Sequence, residues 1–231
     1  MGRIASFHLI SEPMHKVPLA MARLAVDRPL LQRTDGLEFW RLLGTGKGRY
    51  TGPGADLRRT ALFAVWNDEA DLDRFLDQSR IARRWTGCRE AWHVRLRGVG
   101  GHGQWRNVDP LDGLEPGSND GPVAIITRAN VNRHAGREFA EASKEVDGEL
   151  RTAPGLIDVV GIGEAPIGKL ATFSLWESGA DAKRFAYKMP RHERVIEQTR
   201  DGDWYGEELF ARFEPYGSTG SWDGRDPLAG R

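Results

Sequence analysis

Ala61-Leu62-Phe63-Ala64-Val65-Trp66 is echoed by Ala171-Thr172-Phe173-Ser174-Leu175-Trp176, and this repetition decides the fold. The two stretches are separated by 110 residues, and the same spacing relates Ala70-Asp71 to Ala180-Asp181 and Arg74-Phe75 to Arg184-Phe185. Upstream, Leu43-Gly44-Thr45-Gly46 resembles Val160-Gly161-Ile162-Gly163, and downstream Gly103-Gln104-Trp105 resembles Gly220-Ser221-Trp222. Ordered similarities along two halves mean a duplicated domain, since two copies are too few for a solenoid.

Each copy reads as strand, helix, strand, strand, helix, strand. In the second, residues 123–131 are strand-like, and residues 135–150 have helical spacing at Phe139, Ala142, Val146 and Leu150. Residues 156–162 and 169–176 are β-branched or aromatic runs on either side of the turn signal Gly163-Glu164-Ala165-Pro166. Ser178 and Asp181 form a capping box for a helix reaching about Tyr187. Pro190 suits the first turn of a further helix to Arg200, and residues 207–213 close the unit as a strand. In the first copy the strands lie at 4–10, 39–43, 60–66 and 91–96, with a first helix over 18–33.

A four-stranded antiparallel sheet with helices on one face is the ferredoxin-like arrangement. The expected architecture is therefore α+β: two tandem βαββαβ units that form an intrachain α/β barrel, pairing their open sheet faces and enclosing a cavity. The units span residues 1–97 and 122–215. Residues 98–121, rich in Gly, Pro, Asp and Asn, read as a linker, and residues 216–231 as a polar tail that frays.

Composition narrows the function. Lys+Arg and Asp+Glu both number 33, so no excess charge favours nucleic acid or an anionic membrane surface. Arg80, Arg83 and Arg84 read as a solvated helix face. Cys88 is the single cysteine, which excludes an internal disulfide and suits a reducing compartment. The chain opens without an apolar secretory core and has no run long enough to span a membrane, so a cytoplasmic location is expected.

Two segments carry a more specific resemblance: Gly36-Leu37-Glu38-Phe39-Trp40-Arg41-Leu42-Leu43-Gly44-Thr45-Gly46-Lys47-Gly48, and the run from Ile162-Gly163-Glu164 through Thr172–Trp176 and His192 to Trp204-Tyr205-Gly206-Glu207-Glu208-Leu209-Phe210-Ala211-Arg212-Phe213. Both resemble the spheroidene monooxygenase family over most of residues 1–213. The resemblance implies a dimeric α/β-barrel type fold and insertion of oxygen into a hydrophobic small molecule, in secondary or carotenoid-type metabolism. Barrels of this kind include haem enzymes such as aldoxime dehydratases and chlorite dismutases, with a histidine of the C-terminal unit on the iron. It therefore implies haem b as cofactor, with dioxygen or another oxidant as co-substrate. Pairing of two chains as a homodimer is left open.

His192 is the metal-ligand candidate. On a helix begun by Pro190 it shares a face with Val195, Ile196 and Thr199, so its imidazole leaves an apolar stripe where burial favours the neutral, ligating form. The residue 110 positions earlier is Ala82, so only the second copy offers this ligand. A core histidine bonded to a neighbour is the plain alternative, and the family resemblance tips the choice toward a ligand. Its other ring N–H needs an acceptor, for which Glu177, Glu207 and Glu208 are candidates.

Arg128 is a cofactor-binding candidate for a haem propionate, on the strand face opposite Val123, Ile125, Thr127 and Ala129; a sheet-edge ion pair is the alternative. Lys47 lies in Gly44-Thr45-Gly46-Lys47-Gly48, which lacks phosphate-loop spacing and reads as a hairpin or bulge; it is a lesser candidate for a propionate or substrate carboxylate. His8 and His93 fall in strands and are distal-group candidates, while His15, His102 and His134 read as loop residues. Trp40, Trp66, Trp92, Trp176 and Trp204 read as core. Scattered histidines and one cysteine make a structural zinc site improbable. The competing functions are a haem lyase or dehydratase acting at an N–O or N–N centre, a non-catalytic haem carrier, and a cofactor-free barrel oxygenase.

Overall fold

A computed structural model describes residues 2–46, 54–131, 149, 150, 152–164, 169–188 and 205–231. The expected helices at 135–150 and 190–200 lie largely or wholly outside them, as do Lys47, His134, His192 and Trp204.

The strands are β1 (Ile4–Ser11), β2 (Leu37–Gly46), β3 (Ala55–Trp66), β4 (Glu90–Gly103), β5 (Val123–Val131), β6 (Leu156–Gly163), β7 (Lys169–Trp176) and β8 (Tyr205–Gly220). The helices are α1 (Val17–Gln32), α2 (Glu69–Gln78), α3 (Arg80–Trp85) and α4 (Gly179–Lys188). Their starts follow local chemistry. Pro18 sits in the first turn of α1, Asp68 accepts the Asp71 amide ahead of α2, and Ser79 accepts the Ala82 amide ahead of α3. The Ser178 hydroxyl accepts the Asp181 amide at 3.2 Å and donates to Asp181 Oδ2 at 2.6 Å, the capping pair expected for α4.

The strands close into one barrel in the order β1-β3-β2-β6-β7-β5-β8-β4. Within it, β4-β1-β3-β2 and β8-β5-β7-β6 repeat a single order, as the duplication requires. The halves join along a long β4–β8 seam, from Trp92–Gly220 to Gly103–Leu209, and a short β2–β6 seam at Gly44–Gly163 and Thr45–Ile162. Pairing also corrects the strand match made upstream: Leu43 faces Ala61 as Ile162 faces Ala171, so Leu43 corresponds to Ile162 rather than Val160. A two-residue slip preserves the side-chain faces of a strand, so alternation alone does not reveal it.

The expected cavity between the sheets is also corrected. Both inward faces are aromatic, and they meet in a filled core: Phe7 stacks on Phe173 with centroids 3.9 Å apart, among Phe63, Trp92, Trp105, Phe213 and Trp222. An eight-stranded barrel is just wide enough for its side chains to fill it. The helices lie outside. Leu72, Phe75, Ile81 and Ala82 cover Ile4, Leu62, Ala64 and Trp66 in the first half, while Ala182 and Phe185 cover Val123, Ile125 and Trp176 in the second.

Neither the linker nor the tail behaves as its composition suggested. Gly98–Gly103 completes β4, and residues 216–220 complete β8. Beyond each strand the chain makes the same turn. The Trp105 amide donates to Val108 O at 2.7 Å and the Trp222 amide to Arg225 O at 2.7 Å, across residues with positive φ (Arg106 and Asn107; Asp223 and Gly224). Leu111 and Leu228 then donate their amides to Asp109 and Asp226 at 2.9 and 3.0 Å. Each turn drives its tryptophan into the barrel core, where Trp105 and Trp222 are both 1% exposed.

Candidate functional site

Strand pairing lets the outer, helix-covered faces of the two sheets be compared residue by residue. Across the first sheet one row reads His93–His8–Leu62–Leu42. The matching row of the second sheet reads Phe210–Thr127–Thr172–Gly161. Beside it, the first sheet has Ala91–Ile10–Thr60–Gly44 and the second Glu208–Ala129–Leu170–Gly163. The second half has thus exchanged an imidazole and two leucines for two threonines and a glycine. His8 and Leu62 are each 1% exposed, whereas Thr127, mid-strand in an interior strand, is exposed. Native sheets under helices are close-packed. Among the described residues, the second sheet therefore presents less side-chain volume along Thr127, Thr172 and Gly161 than the first sheet does along His8, Leu62 and Leu42.

His192 lies outside the described residues, but its partner in the repeat does not. Ala82 is 5% exposed and packs in the cluster between the first sheet and its helices. Of its proposed carboxylate acceptors, Glu177 pairs with Arg231 at 3.1 Å and Glu207 with Arg128, whereas Glu208, 4.0 Å from His102, belongs to the outer face of the second sheet.

Arg128 points the other way. It is 3% exposed on the inner face, donates to Glu207 Oε2 at 2.6 Å, and its guanidinium lies 5.6 Å from the Trp105 ring. Trp105 anchors a charged cluster at this barrel end. Arg41 Nη2 donates to the Trp105 carbonyl at 3.1 Å, and Trp105 Nε1 donates to Glu164 Oε2 at 3.3 Å, with Arg106 3.1 Å from Glu164 Oε1. Burial pulls Arg41 down to about 10, despite the opposing field of Glu164. Glu207 lies below its ordinary value: burial opposes this, but bonds from the Asn107 amide and the Arg128 guanidinium outweigh it. The structure thus gives Arg128 a buried ion pair, on the sheet face away from Thr127 and Thr172.

His8 and His93, offered as distal groups, are corrected: they sit on the outer face of the first sheet, among Trp85 and Phe75. Trp66 Nε1 donates to Ser6 Oγ at 2.8 Å, Ser6 Oγ lies 2.8 Å from His8 Nε2, and His8 Nδ1 lies 2.9 Å from His93 Nδ1. The indole donates to the Ser6 hydroxyl, and one arrangement that uses every polar hydrogen of the chain has that hydroxyl donate to His8 Nε2 and His8 Nδ1–H donate to His93 Nδ1. Both rings are then neutral. Burial, then the nearby His93 and Arg95 charges, holds His8 well below its ordinary value, and burial lowers His93 to about 4.

Elsewhere, a cleft of about 580 Å³ near the Trp222 turn is lined by Asp56, Arg58, Arg59, Arg89, Glu90 and Asp223. Its charges are largely paired, Arg58 with Asp56 and Arg59 with Asp223, which does not suit an apolar substrate. Among the described residues no cluster of metal-binding side chains occurs, and no helix is long and apolar enough to cross a membrane.

No family model matches the chain. Similar proteins include spheroidene monooxygenase of Cereibacter sphaeroides, 30% identical over 193 residues, which cover 83% of this chain and 60% of that protein. Spheroidene monooxygenase of Rubrivivax gelatinosus is 34% identical over 191 residues, covering 82% and 73%. The chain thus spans well under two thirds of the Cereibacter protein and more of the Rubrivivax one. Among solved structures, aldoxime dehydratase in complex with butyraldoxime superposes with a TM-score of 0.64 at 10% identity, covering 93% of this chain and 80% of that one, a likeness of fold.

Proposed function

The chain belongs to the spheroidene monooxygenase family, and we propose that it is a haem-dependent monooxygenase acting on a hydrophobic small molecule. The carrying observation is the strip of small residues on the helix-covered face of the second sheet, Thr127–Thr172–Gly161, where the first sheet is filled by His8–Leu62–Leu42. The first-half counterpart of His192, Ala82, is buried against the same face of its own sheet, which supports the reading that His192 serves this strip.

In this reading His192 would ligate the iron and Glu208 would accept its second ring N–H. The strip of Thr127, Ala129, Thr172 and Gly161 seats the flat ring and keeps it dry. Bound haem supplies redox-active iron for the activation of dioxygen, chemistry that no side chain described here provides. The protein's share is ligation, exclusion of water and orientation of an apolar substrate. The names of the relatives make a carotenoid-type polyene the first substrate to test.

The test is an absorbance spectrum of protein expressed with haem precursor, ferric and then dithionite-reduced, with and without carbon monoxide. A Soret band with the shifts of histidine-ligated haem is expected, and its loss in His192→Ala. Absence of the band after reconstitution, or an unchanged spectrum in His192→Ala, overturns the proposal.

A further inference from the structure

The two halves carry one arginine at equivalent places with opposite surroundings. Arg95 on β4 pairs with Ser6 of β1 and lies against Gly217 of β8; Arg212 on β8 pairs with Ile125 of β5 and lies against Gly100 of β4. A Cβ on Gly217 would stand 3.8 Å from Arg95 Cδ, and one on Gly100 would stand 3.6 Å from Arg212 Nη2. Each arginine side chain thus crosses its facing glycine within van der Waals reach.

Arg95 is neutralised by α2: its Nε is 3.1 Å from Glu69, and a second bond goes to Asp73. The repeat that relates α2 to α4 puts Gly179 in place of Glu69 and Lys183 in place of Asp73. The rest of the helix is kept, including the i,i+3 pairs Arg74–Asp71 and Arg184–Asp181. One carboxylate has therefore been deleted and the other reversed in sign. Among the described residues Arg212 has no ion pair; its Nε, like that of Arg95, is buried without a hydrogen-bond partner, so the difference between the two lies in the lost carboxylates. Glu214, two residues along the strand, is taken up by Arg97 and the Ser118 amide.

A half-buried guanidinium deprived of both counter-ions, with a lysine at the repeat position of the lost Asp73 carboxylate, suits an anion. Its strand row, Arg212–Ile125–Ser174–Val159, adjoins Phe210–Thr127–Thr172–Gly161, so the positive charge lies at one edge of the strip of small residues. We infer that Arg212, assisted by Lys183, binds the propionate carboxylates of the flat cofactor seated on the second sheet, the role that Arg128 on the opposite face does not fill. This inference rests on the haem reading and goes beyond it by assigning the residues that orient the ring.

The test titrates apo-protein with haemin and with haemin dimethyl ester, whose propionates carry no charge, following absorbance and tryptophan-fluorescence quenching. Arg212→Leu is expected to weaken haemin by roughly tenfold, the loss of one charge-assisted contact. The ester should bind Arg212→Leu as it binds the wild type. Lys183→Asp, which restores the first half's residue, should likewise weaken haemin alone. Arg95→Leu serves as the control for a structural effect and should leave haemin affinity unchanged. Equal losses for haemin and ester, or no loss for either, overturn the inference and leave the haem reading intact. Failure of the wild type to bind either ligand overturns both.

Discussion

The halves of this barrel share a strand order, a buried tryptophan turn and a helix cap, yet they spend the outer faces of their sheets differently. In the first, His8, His93, Leu62 and Leu42 fill the space under the helices, and the Trp66–Ser6–His8–His93 chain satisfies its polar atoms. In the second, the same positions hold Thr127, Phe210, Thr172 and Gly161, and an arginine nearby has lost its carboxylates. Duplication supplies two scaffolds. One is kept as a packed domain, and the other gives up side-chain volume and charge neutrality, which are the requirements of a ligand site.

The largest effect should come from making the second half resemble the first. Gly161→Leu, copying Leu42, is expected to abolish the haem titration, because its side chain would stand on the strip proposed to seat the ring, while the urea midpoint of the apo-protein changes little. If the strip is ordinary core, the substitution instead overpacks it and costs about 1–3 kcal/mol of stability; that result breaks the comparison.

Next come the shared turns. Trp105→Ala and Trp222→Ala should each cost about 3–5 kcal/mol in denaturant unfolding, because each empties one end of the filled barrel. Phenylalanine separates them. Trp222 Nε1 has no hydrogen-bond partner, so Trp222→Phe loses only volume, whereas Trp105→Phe also removes the bond from Trp105 Nε1 to Glu164, which keeps only its contacts with Arg41 and Arg106. The Trp105 variant should be the less stable of the two; the reverse order would mean that the charged cluster around Trp105 does not depend on it.

The smallest effect is a pH dependence confined to the first half. His93 is lowered to about 4 and His8 well below its ordinary value, so the unfolded chain binds more protons than the folded one at mildly acid pH. Their contribution is complete above about pH 6.5 and declines as pH falls from there toward 4, by about 3 kcal/mol from His93 alone. The double variant His8→Thr/His93→Phe, carrying the second half's residues, should flatten the dependence in urea melts between pH 7 and 5. An unaltered slope would locate the titration elsewhere.

Much of the architecture was legible because it rests on local chemistry written twice. Alternation in 61–66 and 171–176, the Ser178–Asp181 cap and the recurring Gly-x-Trp all survive as strands, helix start and turns. The tail was misread since its glycines and charges resemble solvent-exposed chain, and the burial of Trp222 depends on a barrel end built by remote strands. Alternation separated Arg128 from Val123 and Ile125, but both faces of a barrel strand are covered, one by the opposite sheet and one by helices. Periodicity therefore could not say which face held the strip of small residues. His8 and His93 met the same ambiguity. Arg212 escaped notice because an arginine on a strand is unremarkable until the residues facing it are known.

By itself, the sequence determined the duplication, the order of elements in each copy, the family resemblance and the contrast between His192 and Ala82, because these depend on residues near one another in the chain or on direct comparison of its halves. Only the tertiary structure decided that the barrel interior is filled, that Arg128 is held in an ion pair within it, and that, among the described residues, Arg212 stands without an ion pair beside the small residues of the second sheet's outer face. Packing and charge neutralisation are set by contacts between strands and helices far apart in sequence, and they exist only once the barrel has closed.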